Sequence, residues 1–184
     1  DNELSWIDWT ECDEAMLAFT KQVLQLRRTH RSLRRLDYFD GKLNPVSGLR
    51  DVTWLEGNGS LLCHEEWHDP SRCHFGALLD GVQGGPPLLL LFNRGSNGSD
   101  LMLPGTAESR WQVVFDTSGT LSLSQTHAGG RSLHIEGASL ASGVEVAQFG
   151  HGSYFIATSS GTMSNATILM ILISGLTAGP AVSL

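Results

Sequence analysis

Five apolar residues in a row, Leu88 to Phe92, constrain this chain more than any other stretch. Successive side chains on a strand point to opposite faces, so an uninterrupted apolar run predicts a central strand buried on both sides. The chain beyond this run has the same grammar. Leu101 to Leu103, Trp111 to Phe115, Leu121 to Leu123, Ser132 to Ile135 and Val144 to Phe149 are short strand candidates, with Gly, Asn, Ser or Pro between them. Strands at this spacing predict an antiparallel sandwich. Trp111, Val113 and Phe115 alternate with Gln112 and Val114, which places the three on one core face.

Upstream of that run the pattern is looser. Leu36 to Phe39 predicts a strand that Asp40-Gly41 ends, and residues 44–48 read as a loop. Asp51 to Leu55 predicts a strand with Val52 and Trp54 on one face, closed by a turn at Asn58-Gly59. The polar residues 60–74 have room for one helical turn at Glu65 to Trp67, stopped by Pro70. Phe75 to Leu79 is again strand-like, and Gly81 to Pro87 is a break.

Residues 1–35 form a polar loop feeding one amphipathic helix. Met16, Phe19, Val23 and Leu26 recur at helical spacing, and Ala15, Leu17 and Leu24 widen the stripe. Thr10 and Asp13 suggest a loose capping box. Acidic residues start the helix, and Arg27, Arg28, His30 and Arg31 gather where cations suit its dipole. So wide an apolar face so near residue 1 predicts a partner that upstream sequence supplies. The expectation is an exposed patch over residues 15–26 and a chain that self-associates.

The formal net charge is −7, which gives no general electrostatic reason to bind nucleic acid or an anionic membrane. Lys21, Arg27, Arg28, Arg31, Arg34 and Arg35 are half of the 12 basic residues, yet no aromatic interleaving or docking motif accompanies them. They read as a helix end and a solvated exit. Cys12, Cys63 and Cys73 form neither an even framework nor a C-x-x-C pair, and read as thiols in a reducing compartment. Three glycosylation-like triplets begin at Asn58, Asn97 and Asn165, with no signal peptide to give them meaning.

DNELSWIDW, the helix ending LRRTH, DVTWLEGNGSLLCHEEWHDP and GALLDG together resemble the C-terminal end of isoamylase-type glycogen debranching enzymes, in the α-amylase superfamily of glycoside hydrolases. The resemblance runs from Asp1 to about Thr117. It implies a mainly β fold with one N-terminal helix. Residues 1–35 would be the last loop and helix of a truncated (β/α)8 barrel, 36–158 an antiparallel β-sandwich C-terminal domain, and 159–184 an unassigned apolar tail. The parent enzyme would hydrolyse α-1,6 branch linkages in glycogen or limit dextrin with retaining chemistry. The carboxylates for that chemistry would lie upstream, so this chain alone would be inactive and hold no catalytic residue. Asp1, Asn2 and Glu3 are the residues it places on the catalytic face, as candidates for binding sugar hydroxyls. No metal or organic cofactor is implied. The partners would be branched α-glucan, through the full-length enzyme, and the missing barrel, with neither nucleic acid nor membrane. The compartment would be the cytoplasm, or a plastid in a photosynthetic eukaryote.

Three features stand beside that resemblance. His64-Glu65-Glu66-Trp67-His68 fits H-E-x-x-H, a zinc pattern when two histidines share a helix face. Pro70 leaves no room for the long helix such a pair needs, so the plainer reading packs Trp67 on the sandwich and leaves both histidines in solvent. A glucan-binding module is the alternative to a structural domain, but Trp54, Trp67 and Trp111 all fall in patterns that look buried, and Trp6 reads as stapling its loop to the helix. The tail has no charge after Glu145, and its apolar core, Ile168 to Ile173, is far short of the ~20 residues of a membrane span. A last strand or an irregular end is expected there.

Overall fold

The computed structural model describes residue 6, residues 12–145 and residues 155–157. One helix, α1 (Glu14–Thr29), precedes β1 (Val52–Leu55), β2 (His74–Leu79), β3 (Leu88–Asn93), β4 (Ser99–Met102), β5 (Arg110–Asp116), β6 (Thr126–Ala128), β7 (Ser132–Ile135), β8 (Ser139–Glu145) and β9 (Phe155–Ala157). A seven-stranded sheet runs β1-β2-β3-β8-β9-β5-β6, with β8 also paired directly to β5, and β4 and β7 form a second sheet. All pairings are antiparallel except that of β9 with β5. The protein is mainly β, as the sequence predicts.

β3 is buried on both faces along its whole length. Leu88, Leu90 and Phe92 join Ala77, Leu79 and Leu140 in a cluster that includes Val23 and Leu26 of α1. Leu89 and Leu91 point the other way, toward Leu101, Leu133 and Ile135 of the small sheet. The protein therefore has two cores sharing one sheet. One is sheet against sheet, and the other is sheet against helix.

That second core corrects the expectation of an exposed stripe on α1. Val23 and Leu26 are 1% and 6% exposed, Phe19 packs partly buried against the same cluster, and Leu24 is left outside at 48%. Each fully buried side chain of this size contributes roughly 1.5–3 kcal/mol. The apolar face of α1 finds its partner within the chain itself. Its cap differs too: Asp13 is the N-cap, accepting from the Met16 backbone N–H at 3.0 Å, while Thr10 lies outside the described residues.

A β-bulge makes room for the helix. Val113 pairs with Gly143 and Phe115 with Ser142, so Val114 is an extra residue on β5. One extra residue reverses the facing of everything after it. Trp111 and Val113 enter the sheet–sheet core, whereas Phe115 turns to the helix side and meets Phe19 at 5.6 Å. The expectation of one shared face for Trp111, Val113 and Phe115 fails at this bulge.

Three other boundaries differ. Leu36 to Phe39 is not a strand, because the backbone beyond it is held by a side chain. The buried Asp51 carboxylate accepts from Asp40 N–H at 2.8 Å and Gly41 N–H at 3.0 Å. Leu121 to Leu123 is replaced by β6 five residues later, after a positive φ of 68° at Ser124. The strand expected at Val144 to Phe149 begins instead at Ser139, and residues 146–149 lie outside those described. The tail at 159–184, including Ile168 to Ile173, also lies outside them.

The exit of α1 is tied to the sheet. Ser32, in the 3-10 turn Arg31–Arg34, is buried and donates to the Asp80 carbonyl at 2.9 Å, and Asn44 donates to the Asp80 carboxylate at 2.6 Å. Arg34 donates to the Arg28 carbonyl at 2.8 Å, satisfying the helix end as its position predicts. His30, the C-cap, is 8% exposed, and burial lowers its pKa from 6.5 to about 4. A histidine held neutral in the fold is protonated more readily when unfolded. Its contribution is therefore complete above pH 6.5 and declines as pH falls toward 4. The loss should be on the order of 3 kcal/mol. His127, lowered by burial as well, acts in the same direction. Urea unfolding between pH 7.5 and 4 should show this decline, and His30→Gln should remove most of it; an identical slope in the variant would contradict the assignment.

Candidate functional site

The residues expected to touch sugar, Asp1, Asn2 and Glu3, lie outside the described residues. Trp6 is described and is 64% exposed, while the loop it was expected to staple lies outside the described residues. What the structure does assemble is a polar cleft at one end of the large sheet, built around the EEWHDP segment.

The segment begins with a 3-10 turn, Glu65–His68, rather than a helix. His64 and His68 are exposed, with ring centroids 5.3 Å apart and nearly perpendicular. Among the described residues no group of three His, Cys, Asp or Glu side chains is placed to hold a metal. The zinc reading of His64, Glu65 and His68 thus gains no third ligand there. Trp67 packs edge-on against Trp54 at 5.0 Å and near Phe75 at 6.1 Å, while Phe75 stacks on Phe92 at 4.7 Å. The turn is thereby anchored to the helix-side core. Of the three tryptophans read as buried, Trp111 is 2% exposed and donates to the Pro104 carbonyl at 2.8 Å. Trp54 is half-buried, but Trp67 remains 37% exposed.

Beyond the turn, Arg72 holds the cleft together. Its guanidinium pairs with Glu56, both side chains being mostly buried, and its Nε donates to the Glu66 carbonyl at 2.8 Å. Arg94 braces the same loop from β3's end, donating to the carbonyls of Arg72 at 2.8 Å and Pro70 at 2.6 Å. Asn93, 1% exposed, donates to the carbonyls of Asn97, Ile135 and Glu136, which fixes the opposite wall. Next to it, a Cβ at Gly57 would come within 2.4 Å of the ring of His74, which lines the cleft. These parts enclose a cleft of about 580 Å³ lined by Glu56, Asn58, Glu66, Asp69, Arg72 and His74, among others.

Two of its acids, Glu66 and Asp69, are held in the ionised form. The Cys63 backbone N–H, donating at 2.6 Å, holds the Glu66 carboxyl below the usual carboxylate range, and Ser71 does the same for Asp69. Sequence reasoning found Trp67 and the turn, but missed Glu56, Arg72 and Asn93 as parts of one site. The Arg72–Glu56 pair spans 16 positions and the bonds of Asn93 to Ile135 and Glu136 span 42 and 43, and no local spacing announces such pairings.

The fold so described is a β-sandwich domain with a helix docked on its outer face. No family model matches the chain. Curated relatives do. A 70-residue stretch is 37% identical to the glycogen operon protein GlgX homolog of Mycobacterium tuberculosis, covering 36% of this chain and 10% of that protein. Over 120 residues, 65% of this chain, it is 33% identical to the glycogen debranching enzyme of Dickeya chrysanthemi, covering 16% of that enzyme. The corresponding enzyme of Cronobacter sakazakii is 30% identical over 114 residues, 62% of this chain and 15% of the enzyme. These relatives bear out the resemblance to isoamylase-type glycogen debranching enzymes. The chain spans only 10% to 16% of their length.

Replacing Arg72 by Ala leaves the Glu56 carboxylate without its partner and frees the Glu66 carbonyl. The expected loss is about 1–3 kcal/mol of stability, with faster proteolysis confined to residues 63–74. Unchanged cleavage of that loop would show that Arg72 does not hold it.

Proposed function

We propose that the chain is the C-terminal region of an isoamylase-type glycogen debranching enzyme, a protein that hydrolyses α-1,6 branch linkages in glycogen or limit dextrin. The observation that carries this reading is the 33% identity to a glycogen debranching enzyme over 120 residues. Retaining hydrolysis needs two carboxyl groups ~5–5.5 Å apart across the scissile bond. This region supplies structure to that chemistry rather than the carboxylates themselves.

In this reading the helix belongs to the last barrel segment, and the sandwich starts near residue 36. The tie between Ser32 and Asp80, and the packing of Val23 and Leu26 on β2 and β3, support a sandwich that fixes the final barrel helix in place. The substrate of the whole protein is branched α-glucan, no metal or organic cofactor takes part, and the compartment is the cytoplasm. Among the described residues, no helix is long and apolar enough to cross a membrane.

The purified 184-residue chain should release no reducing sugar from branched glucan, and the coding sequence upstream should encode a barrel with the catalytic carboxylates. Robust hydrolysis by the chain alone, or an upstream sequence without such a barrel, would overturn the proposal.

A further inference from the structure

Two identical triplets, Asn58-Gly59-Ser60 and Asn97-Gly98-Ser99, stand in opposite surroundings. Both asparagines are exposed, and both line the cleft beside Arg72. Asparagine followed by glycine has a reaction of its own. The glycine nitrogen can attack the carbonyl carbon of the asparagine side chain, because no Cβ on the glycine hinders the approach. The N–H is given up as the ring closes, and its loss places charge on the carbonyl oxygen of the same peptide unit. A hydrogen bond made by that N–H therefore opposes the reaction, and one donated to that oxygen assists it.

The first triplet is locked against it. Gly59 N–H donates to the Glu56 carbonyl at 2.9 Å, in a turn closed by Glu56 N–H on the Ser60 carbonyl at 2.8 Å. The Asn58 side-chain oxygen is engaged as well, accepting from Ser60 N–H at 2.9 Å. At the second triplet the conditions reverse. Residues 95–97 are bends rather than a hydrogen-bonded turn. Among the described residues, neither the Gly98 N–H nor the Asn97 side chain has a hydrogen-bond partner. The Asn97 carbonyl oxygen accepts at 2.9 Å from Nδ2 of Asn93, which is 1% exposed. That donor sits where charge develops when the Gly98 nitrogen loses its proton. The glycine is also required there. A Cβ at Gly98 would come within 2.4 Å of Nε2 of His134, whose other ring nitrogen is held by Asp100 at 2.7 Å. The packing that demands Gly98 thus keeps the reactive pair.

We infer that Asn97 is a site of spontaneous deamidation and that the fold protects Asn58 from it. The Gly98 nitrogen bonds to the Asn97 side-chain carbon, the bond from that carbon to Nδ2 breaks, and the Gly98 proton departs, through solvent, in the ammonia released. Water then opens the resulting succinimide. Attack on the side-chain carbonyl leaves aspartate, and attack on the main-chain carbonyl leaves isoaspartate. Either product sets a new carboxylate in a cleft that already holds Glu56, Glu66 and Asp69. Isoaspartate also lengthens the main chain by one carbon immediately before β4 begins at Ser99.

The test incubates the full chain in mildly alkaline buffer, once folded and once unfolded in guanidinium chloride, and follows both sites by tryptic mapping and mass spectrometry. Cleavage after Arg50, Arg72, Arg94 and Arg110 puts Asn58 and Asn97 in separate peptides. In the folded chain Asn97 should convert at least about tenfold faster than Asn58, the difference expected when one site must first break its hydrogen bonds. In the unfolded chain the two triplets are alike, and their rates should converge. Equal rates in the folded chain, faster conversion at Asn58, or an Asn97 slowed by folding as much as Asn58 would each overturn the inference.

Discussion

β3 has no polar side to give to water, and the remaining elements are arranged to cover it. Leu88, Leu90 and Phe92 require a layer on one face, and Leu89 and Leu91 require another. The small β4–β7 sheet meets the second need in the manner of a sandwich. The first is met by α1, which packs Val23 and Leu26 onto the sheet. A sandwich domain of this size would ordinarily turn its outer face to solvent with alternating polar residues. Here the outer face is apolar, and the helix is the layer that covers it.

This arrangement explains why part of the fold was legible from the residues alone. α1 and the first half of β5 carry clear periodicity, β2 and β3 are short apolar runs, and packing agrees with each. β8 is different. Its sequence, Ser139 to Glu145, is rich in small residues and has little strand propensity. It is a strand because it pairs with β3 on one side and β5 on the other, where Ala141 and Ser142 are completely buried. Long-range pairing, rather than local preference, decides it.

The same reason hides the bulge on β5 and the false strand at Leu36. A period of two continues through Val113 to Phe115 in the sequence, but pairing with Gly143 and Ser142 inserts Val114 and turns Phe115 toward Phe19. At Asp40 and Gly41, the buried Asp51 carboxylate takes the backbone N–H groups that a ladder would otherwise use. The candidate site was half visible: EEWHDP marked the turn and Trp67, while the residues that fix its walls come from distant strand ends. Asp1 to Glu3 were placed by resemblance alone, and lie outside the described residues.

If the helix is the layer that covers β3, then α1 and β3 belong to one core and are not two units that happen to touch. Native-state hydrogen exchange separates these cases, because it reads the opening free energy of each amide individually. The amides of residues 20–28 in α1 should exchange only with the global opening that also exposes β3, and with the same dependence on denaturant. Exchange of α1 through a small local opening, with β3 still protected, would show that the sheet keeps its apolar face covered without the helix, and would contradict a shared core.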